Sequence, residues 1–159
     1  MIELVFDILF SFLATIAYVV LFNVPRRYFI SCGITGVVAW LVYKASSDTF
    51  SAAAATFLAT LAVVFLSRML TVRMKCPITI FLMAGIIPLV PGAGIYYTVY
   101  YMVTGQLALA AQKGLEAVKI AFAIVLGIVF IVSIPREVFQ VHYWKVRKWR
   151  KRLKNNRQV

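Results

Sequence analysis

Between Ile78 and Val103 runs a stretch apolar enough to enter a bilayer, interrupted by Pro88, Pro91, Gly92 and Gly94. Proline removes a backbone donor and clashes with the preceding turn, while glycine tolerates dihedrals that other residues avoid. Two of each within seven residues predict a helix that unwinds at membrane depth. Such backbone persists in hydrocarbon only where protein buries it or where it lines a wet cavity. In transporters, breaks of this kind hold substrate or ions. The chemistry on offer is binding. Unwound carbonyls can coordinate a cation, and the amides opening a half-helix from Gly94 can hold a carboxylate by hydrogen bonds and dipole. Tyr96, Tyr97, Tyr100 and Tyr101 follow, with a spacing that puts their hydroxyls on one broad helix face, and Thr98 and Thr104 lie nearby. Two plainer readings stay open. The break can be a packing kink whose freed groups are satisfied by neighbouring helices, and the tyrosines can form an interfacial aromatic belt.

The elements that must position these residues are hydrophobic segments. The chain has 159 residues, of which 63% are hydrophobic, well above the half expected of a soluble domain. Five segments can be drawn: Leu4–Val24, Tyr28–Tyr43, Phe50–Leu66, the broken Ile78–Val103, and Ala117–Ile134. The connections are Pro25-Arg26-Arg27, the polar loop KASSDTF, the stretch SRMLTVRMKCP, and a polar link TGQLALAAQKGLE. The expected fold class is therefore an all-α polytopic membrane protein of about five transmembrane segments, the fourth broken at PLVPGAG. Residues 1–135 form the membrane domain and 136–159 a basic, amphipathic, cytoplasmic tail. No Lys or Arg precedes Pro25, so residues 4–24 are expected as a retained span. No internal repeat is evident, which suggests one part of a larger assembly. Small residues recur every fourth position at Ala52, Thr56 and Thr60 and again at Ala123 and Gly127. Such faces let helices approach closely in lipid, within a chain or between chains.

Net charge is +12, and nine of the 17 Lys and Arg lie in the last 24 residues. A basic block beside a hydrophobic span points to a cytoplasmic tail on anionic lipid rather than to nucleic acid. With five crossings, Lys44, Lys113 and Lys119 alone fall on the opposite side, so the N-terminus is expected outside and the C-terminus inside. Were the broken segment not to cross, the termini would share a side. Apolar residues Phe139, Tyr143, Val146, Trp149 and Leu153 mark a helical stripe in the tail.

Charges within the spans are sparse. Lys119, one turn into the fifth segment, can meet an anion or Glu116 or snorkel to the interface. Glu3 and Asp7 read as exposed at the start of the first span, and Arg68 as the end of the third. Cys32 and Cys76 have the spacing of neither a metal site nor a disulfide framework. A single histidine, His142, and the absence of GxSxG or P-loop patterns exclude the common enzyme signatures. No metal and no cofactor are expected, and catalysis is not.

CPITIFLMAGIIPLVPGAGIYYTVYYMVTG, residues 76–105, resembles the signature of the ThrE-type threonine/serine exporter family. The correspondence rests on Cys76-Pro77, Gly85-Ile86, Pro88 through Gly92, and Tyr96 or Tyr97. NVPRRYFISCGITGVVAWLVY resembles the family's opening span, and the length and span count are similar to the small YjjB-type subunit. The resemblance implies a bacterial inner-membrane exporter of small amino acids or dicarboxylates, split between this chain and a larger YjjP-type chain. The basic tail is longer than the family pattern implies.

The expected function is that of a membrane subunit in such an exporter, working by alternating access. The site residues are Pro88, Pro91, Gly92, Gly94, Ile95, Tyr96, Tyr97 and Tyr100. The amides of Gly92 to Ile95 would meet a substrate carboxylate and the tyrosines would supply hydroxyls. The competing expectation is a structural subunit that braces the transporting partner. A channel built only from copies of this chain is a third.

Overall fold

A computed structural model describes residues 2–133, with side chains from Leu4 onward. The basic tail lies outside the described residues. Six α-helices follow one another: α1 (Ile2–Leu21), α2 (Phe29–Ser47), α3 (Ala52–Met74), α4 (Ile78–Ile86), α5 (Gly92–Val103) and α6 (Leu107–Val132). Among the described residues there is no strand. Helices α1, α2, α3 and α6 are long and apolar enough to cross a membrane, and α4 with α5 form a bent apolar pair that makes a fifth if the two cross as one span.

The helix ends have local causes. After α1, Asn23 takes the left-handed conformation at φ 53°. Its amide donates to Val20 O, and the amide of Val24 donates to Val19 O. This is a Schellman end, followed by a proline that cannot continue the helix. Gly105, at φ 77°, ends α5 in the same way, with Gln106 N donating to Tyr101 O and Gly105 N to Met102 O. The Ser51 hydroxyl accepts from Ala54 N and opens α3, as an N-cap serine does.

The interior is made of small residues. Ala39, Ala55, Ala59, Thr35, Thr56 and Thr60 are buried, while Phe6, Phe10, Leu13, Phe122 and Phe130 point outward. A soluble protein would invert that arrangement; in lipid, small residues at helix contacts allow close approach. Four of the buried hydroxyls are satisfied on their own helices, whereas those of Ser67 and Thr71 find no partner among the described residues. Thr15, Thr35, Thr56 and Thr60 each donate to the carbonyl four residues earlier, at 2.7–2.8 Å. The small-residue faces read from sequence meet one another inside the chain. A Cβ on Gly127 would lie 2.9 Å from Thr60, so α6 packs its Gly127 against the threonine stripe of α3.

Two apolar clusters hold the bundle. One joins Val19, Tyr28, Cys32, Cys76, Phe81 and Ala84, with the Tyr28 and Phe81 rings edge to face at 5.8 Å. The other joins Ala39, Ala59, Val63, Leu89 and Ile124. Cys32 and Cys76 are free thiols.

Several sequence boundaries move. Helix α2 runs four residues past Tyr43. Helix α3 continues past Arg68 to Met74, so Arg68 does not end it. Arg68 is buried, at 8% exposure, and its guanidinium donates to the carbonyl of Val132 at 2.8 Å. A desolvated cation at a helix C-terminus meets carbonyls that lack intrahelical donors. Helix α6 begins ten residues before Ala117, because LALAAQKGLE, though interrupted by Gln112, Lys113 and Glu116, is rich in strong helix formers. Lys119 consequently sits near the middle of α6, about 18 Å from its start, and Glu116 pairs with Lys113 at 3.2 Å. Asp7 is not left to solvent: it forms an ion pair with Lys44, joining the start of α1 to the end of α2.

Candidate functional site

The broken span is built in four steps. Helix α4 ends at Ile86, a single 3₁₀ turn covers Ile87–Leu89, Val90 is extended, and α5 begins at Gly92. In an uninterrupted helix Pro88 would serve the carbonyl of Ala84 and Pro91 that of Ile87, and neither has a hydrogen to give. Ile87 O instead accepts from Val90 N at 3.2 Å, which is the tighter ladder of the 3₁₀ turn. The two halves are bent by 48°. Such a bend redirects the chain without reversing it. The 12 residues from Ile78 to Leu89 and the 12 of α5, projected through that angle, advance together by about 30 Å, the thickness of a hydrocarbon core.

Leu89 anchors the break in the second apolar cluster. Pro88 and Pro91 are half-buried beside it, whereas Val90, Gly92, Ala93, Ile95, Tyr96, Tyr97 and Tyr100 are exposed. The site residues named from sequence are therefore exposed or half-buried, and the described residues do not enclose them. Gly92 is the clearest case: a Cβ there would meet nothing within 4 Å. Gly94 differs, since its Cβ would lie 3.3 Å from that of Ala117, where α5 packs on α6.

The amides are fewer than the sequence suggests. Gly92 N donates to Val90 O at 2.7 Å, and Ile95 N to Pro91 O at 3.0 Å. The helix opens at Gly92, two residues earlier than expected, so Ile95 already belongs to its ladder. Ala93 and Gly94 keep the first-turn amides that have no intrahelical acceptor, and no side chain caps this end.

The tyrosines form a ladder along α5. Tyr96 stacks on Tyr100 with ring centres 6.4 Å apart, and Tyr97 on Tyr101 at 6.2 Å. Edge-on contacts tie Tyr96 to Tyr97 and Tyr100 to Tyr101. Thr98 does not join them. It sits two positions round the helix, its methyl 3.1 Å from where a Cβ of Gly114 would be, and its hydroxyl donates to Gly94 O. Thr104 likewise donates back to Tyr100 O.

Sequence reasoning missed two polar contacts. The pairing of Asp7 with Lys44 had a signal: the two lie 18 residues before and 19 after Pro25, as partners in a hairpin should. The Arg68–Val132 contact had none, because nothing in the sequence brings α3 beside α6. Among the described residues, no three His, Cys, Asp or Glu side chains converge on a point.

Residues 7–134 match the family model described as "Threonine/Serine exporter, ThrE". No curated protein and no solved structure matches the chain.

Proposed function

Because this chain belongs to the ThrE family of threonine/serine exporters, we propose that it supplies one wall of an export path for small amino acids or dicarboxylates. A YjjP-type membrane subunit supplies the rest. The observation that carries this reading is the open break: Gly92 and three tyrosines named as site residues are presented outward with none of the described residues over them. A carboxylate, common to both substrate classes, meets the amides of Ala93 and Gly94, where the helix dipole favours an anion. Tyr96, Tyr97 and Tyr100 donate hydroxyls to the polar remainder of the substrate. Alternating access follows from movement at Val90–Pro91, driven by an ion or proton gradient. The bilayer is the bacterial inner membrane, with the N-terminus outside and the basic C-terminus inside, a reading that the distribution of Lys and Arg supports.

The test is efflux of labelled threonine, serine and succinate from proteoliposomes holding this chain, a YjjP-type partner, or both. Export by the pair alone supports a shared site. Full export by the partner alone would make this chain a brace and its tyrosine ladder a packing face.

A further inference from the structure

At the end of the bundle that carries Arg26, Arg27, Arg73 and Lys75, helices α1 and α4 part to leave an apolar groove of about 180 Å³. Val19, Phe22, Val24, Thr79, Ile80, Met83, Ala84 and Ile87 line it. Val19 and Ala84 form its floor, at 2% and 3% exposure, and Phe22 and Met83 its open lips, at 53% and 56%. It is smaller than an ordinary small-molecule site and faces outward between two membrane-crossing elements. We propose that this groove holds one acyl chain of an anionic phospholipid, whose headgroup is held by Arg26 and Arg27.

Charge and placement select that occupant. Val24, at one end of the groove, precedes Pro25-Arg26-Arg27 directly. The Arg27 guanidinium lies 4.5 Å above the Tyr28 ring, and Tyr28 belongs to the same apolar cluster as the floor residues Val19 and Ala84. One guanidinium is thus held over a buried ring that packs with the groove's floor residues, and guanidinium groups bind phosphate with matched, forked geometry. The groove leads away from these cations toward the bilayer interior, as an acyl chain leads away from its phosphate. From Thr79 to Ile87 it spans about 12 Å of helix, roughly half an extended chain. Its far end is Ile87, the residue before Pro88. The lipid therefore buttresses the turn that leads into the break.

The experiment uses the full chain in phosphatidylcholine vesicles containing phosphatidylglycerol with a photoreactive group in its acyl chain. Cross-linked residues are mapped by mass spectrometry, so no transport is needed. Labelling is expected to concentrate on residues 19–24 and 79–87. Unlabelled phosphatidylglycerol should compete, and phosphatidylcholine should not. Arg26→Ala and Arg27→Ala should each lower labelling by about fivefold. Thr79→Phe, at an exposed position, should lower it whatever the headgroup, because the ring fills the groove. Labelling spread evenly over the outward faces of α1 and α6 would overturn the proposal, as would equal competition by phosphatidylcholine. So would labelling that vanishes once a companion membrane subunit is bound, which would give the groove to protein.

Discussion

Replacing Gly92 by valine separates a functional glycine from a packing glycine. Gly92 does not have a positive φ, so an L side chain is accommodated without backbone strain. Its Cβ would meet none of the described residues within 4 Å, so none of them has to move. Glycine is the poorer helix former by up to about 1 kcal/mol, and the substitution at the head of α5 should leave the chain as stable as before or slightly more so. If a substrate or a partner's backbone comes against this position, the two added methyl groups occupy its space. Overpacking of that kind costs about 1–3 kcal/mol, which corresponds to roughly 5- to 150-fold in export rate. The assay pairs thermal unfolding of the purified chain with initial export rates from proteoliposomes. The reasoning predicts an unchanged melting temperature and a large loss of export. Normal export would refute the site, and a lowered melting temperature would show that the glycine serves this chain's own packing.

Gly127→Val should give the opposite pattern, destabilising the chain by about 1–3 kcal/mol, since its Cβ would lie 2.9 Å from Thr60. Adding Thr60→Ala should recover part of the loss in the same unfolding measurement. Arg68→Met strips a charged donor from Val132 O and should lower stability by about 1.5–3 kcal/mol. Tyr96→Phe, Tyr97→Phe and Tyr100→Phe keep the stacked rings and remove only hydroxyls, so each should slow export while leaving the melting temperature in place. Cys32 and Cys76 are both buried and should resist maleimide in intact membranes, reacting only after denaturation.

The broken span was legible because its signal is chemical: no arrangement of Pro88, Pro91 and their glycines continues an α-helix. The tyrosine face was legible for the same reason, since spacing on a helix is fixed by its pitch. Helix lengths were less so. Hydropathy marks where a chain can enter lipid, not where its backbone stops being helical, and α6 begins in LALAAQKGLE, where Gln112, Lys113 and Glu116 read as a connection. Arg68 shows the limit most clearly. Its sequence context reads as an interfacial stop, and only the approach of α6 supplies the carbonyl that permits its burial. The opposite held for Thr60 and Gly127, whose small size announced a helix contact without saying with which helix. The amides at the break were overcounted because the exact start of α5 decides which are already taken.

Helix α6 ties α5, on one side of the break, to α3, on which α4 packs from the other side, without being broken itself. Its first half lies against α5 through Ala117 and Gly114, and its second half against α3 through Gly127. It is a stay laid across a hinge. The covalent hinge at Val90–Pro91 can turn freely only if the stay bends between Ala117 and Gly127, rolls as one rod, or slides from one partner. Rolling would carry the Lys113–Glu116 pair round the axis of α6 and would twist Gly127 out from under Thr60. The stiffness that any motion of α5 works against is therefore stored some 15 Å away along α6, in a contact between two of the smallest surfaces in the protein.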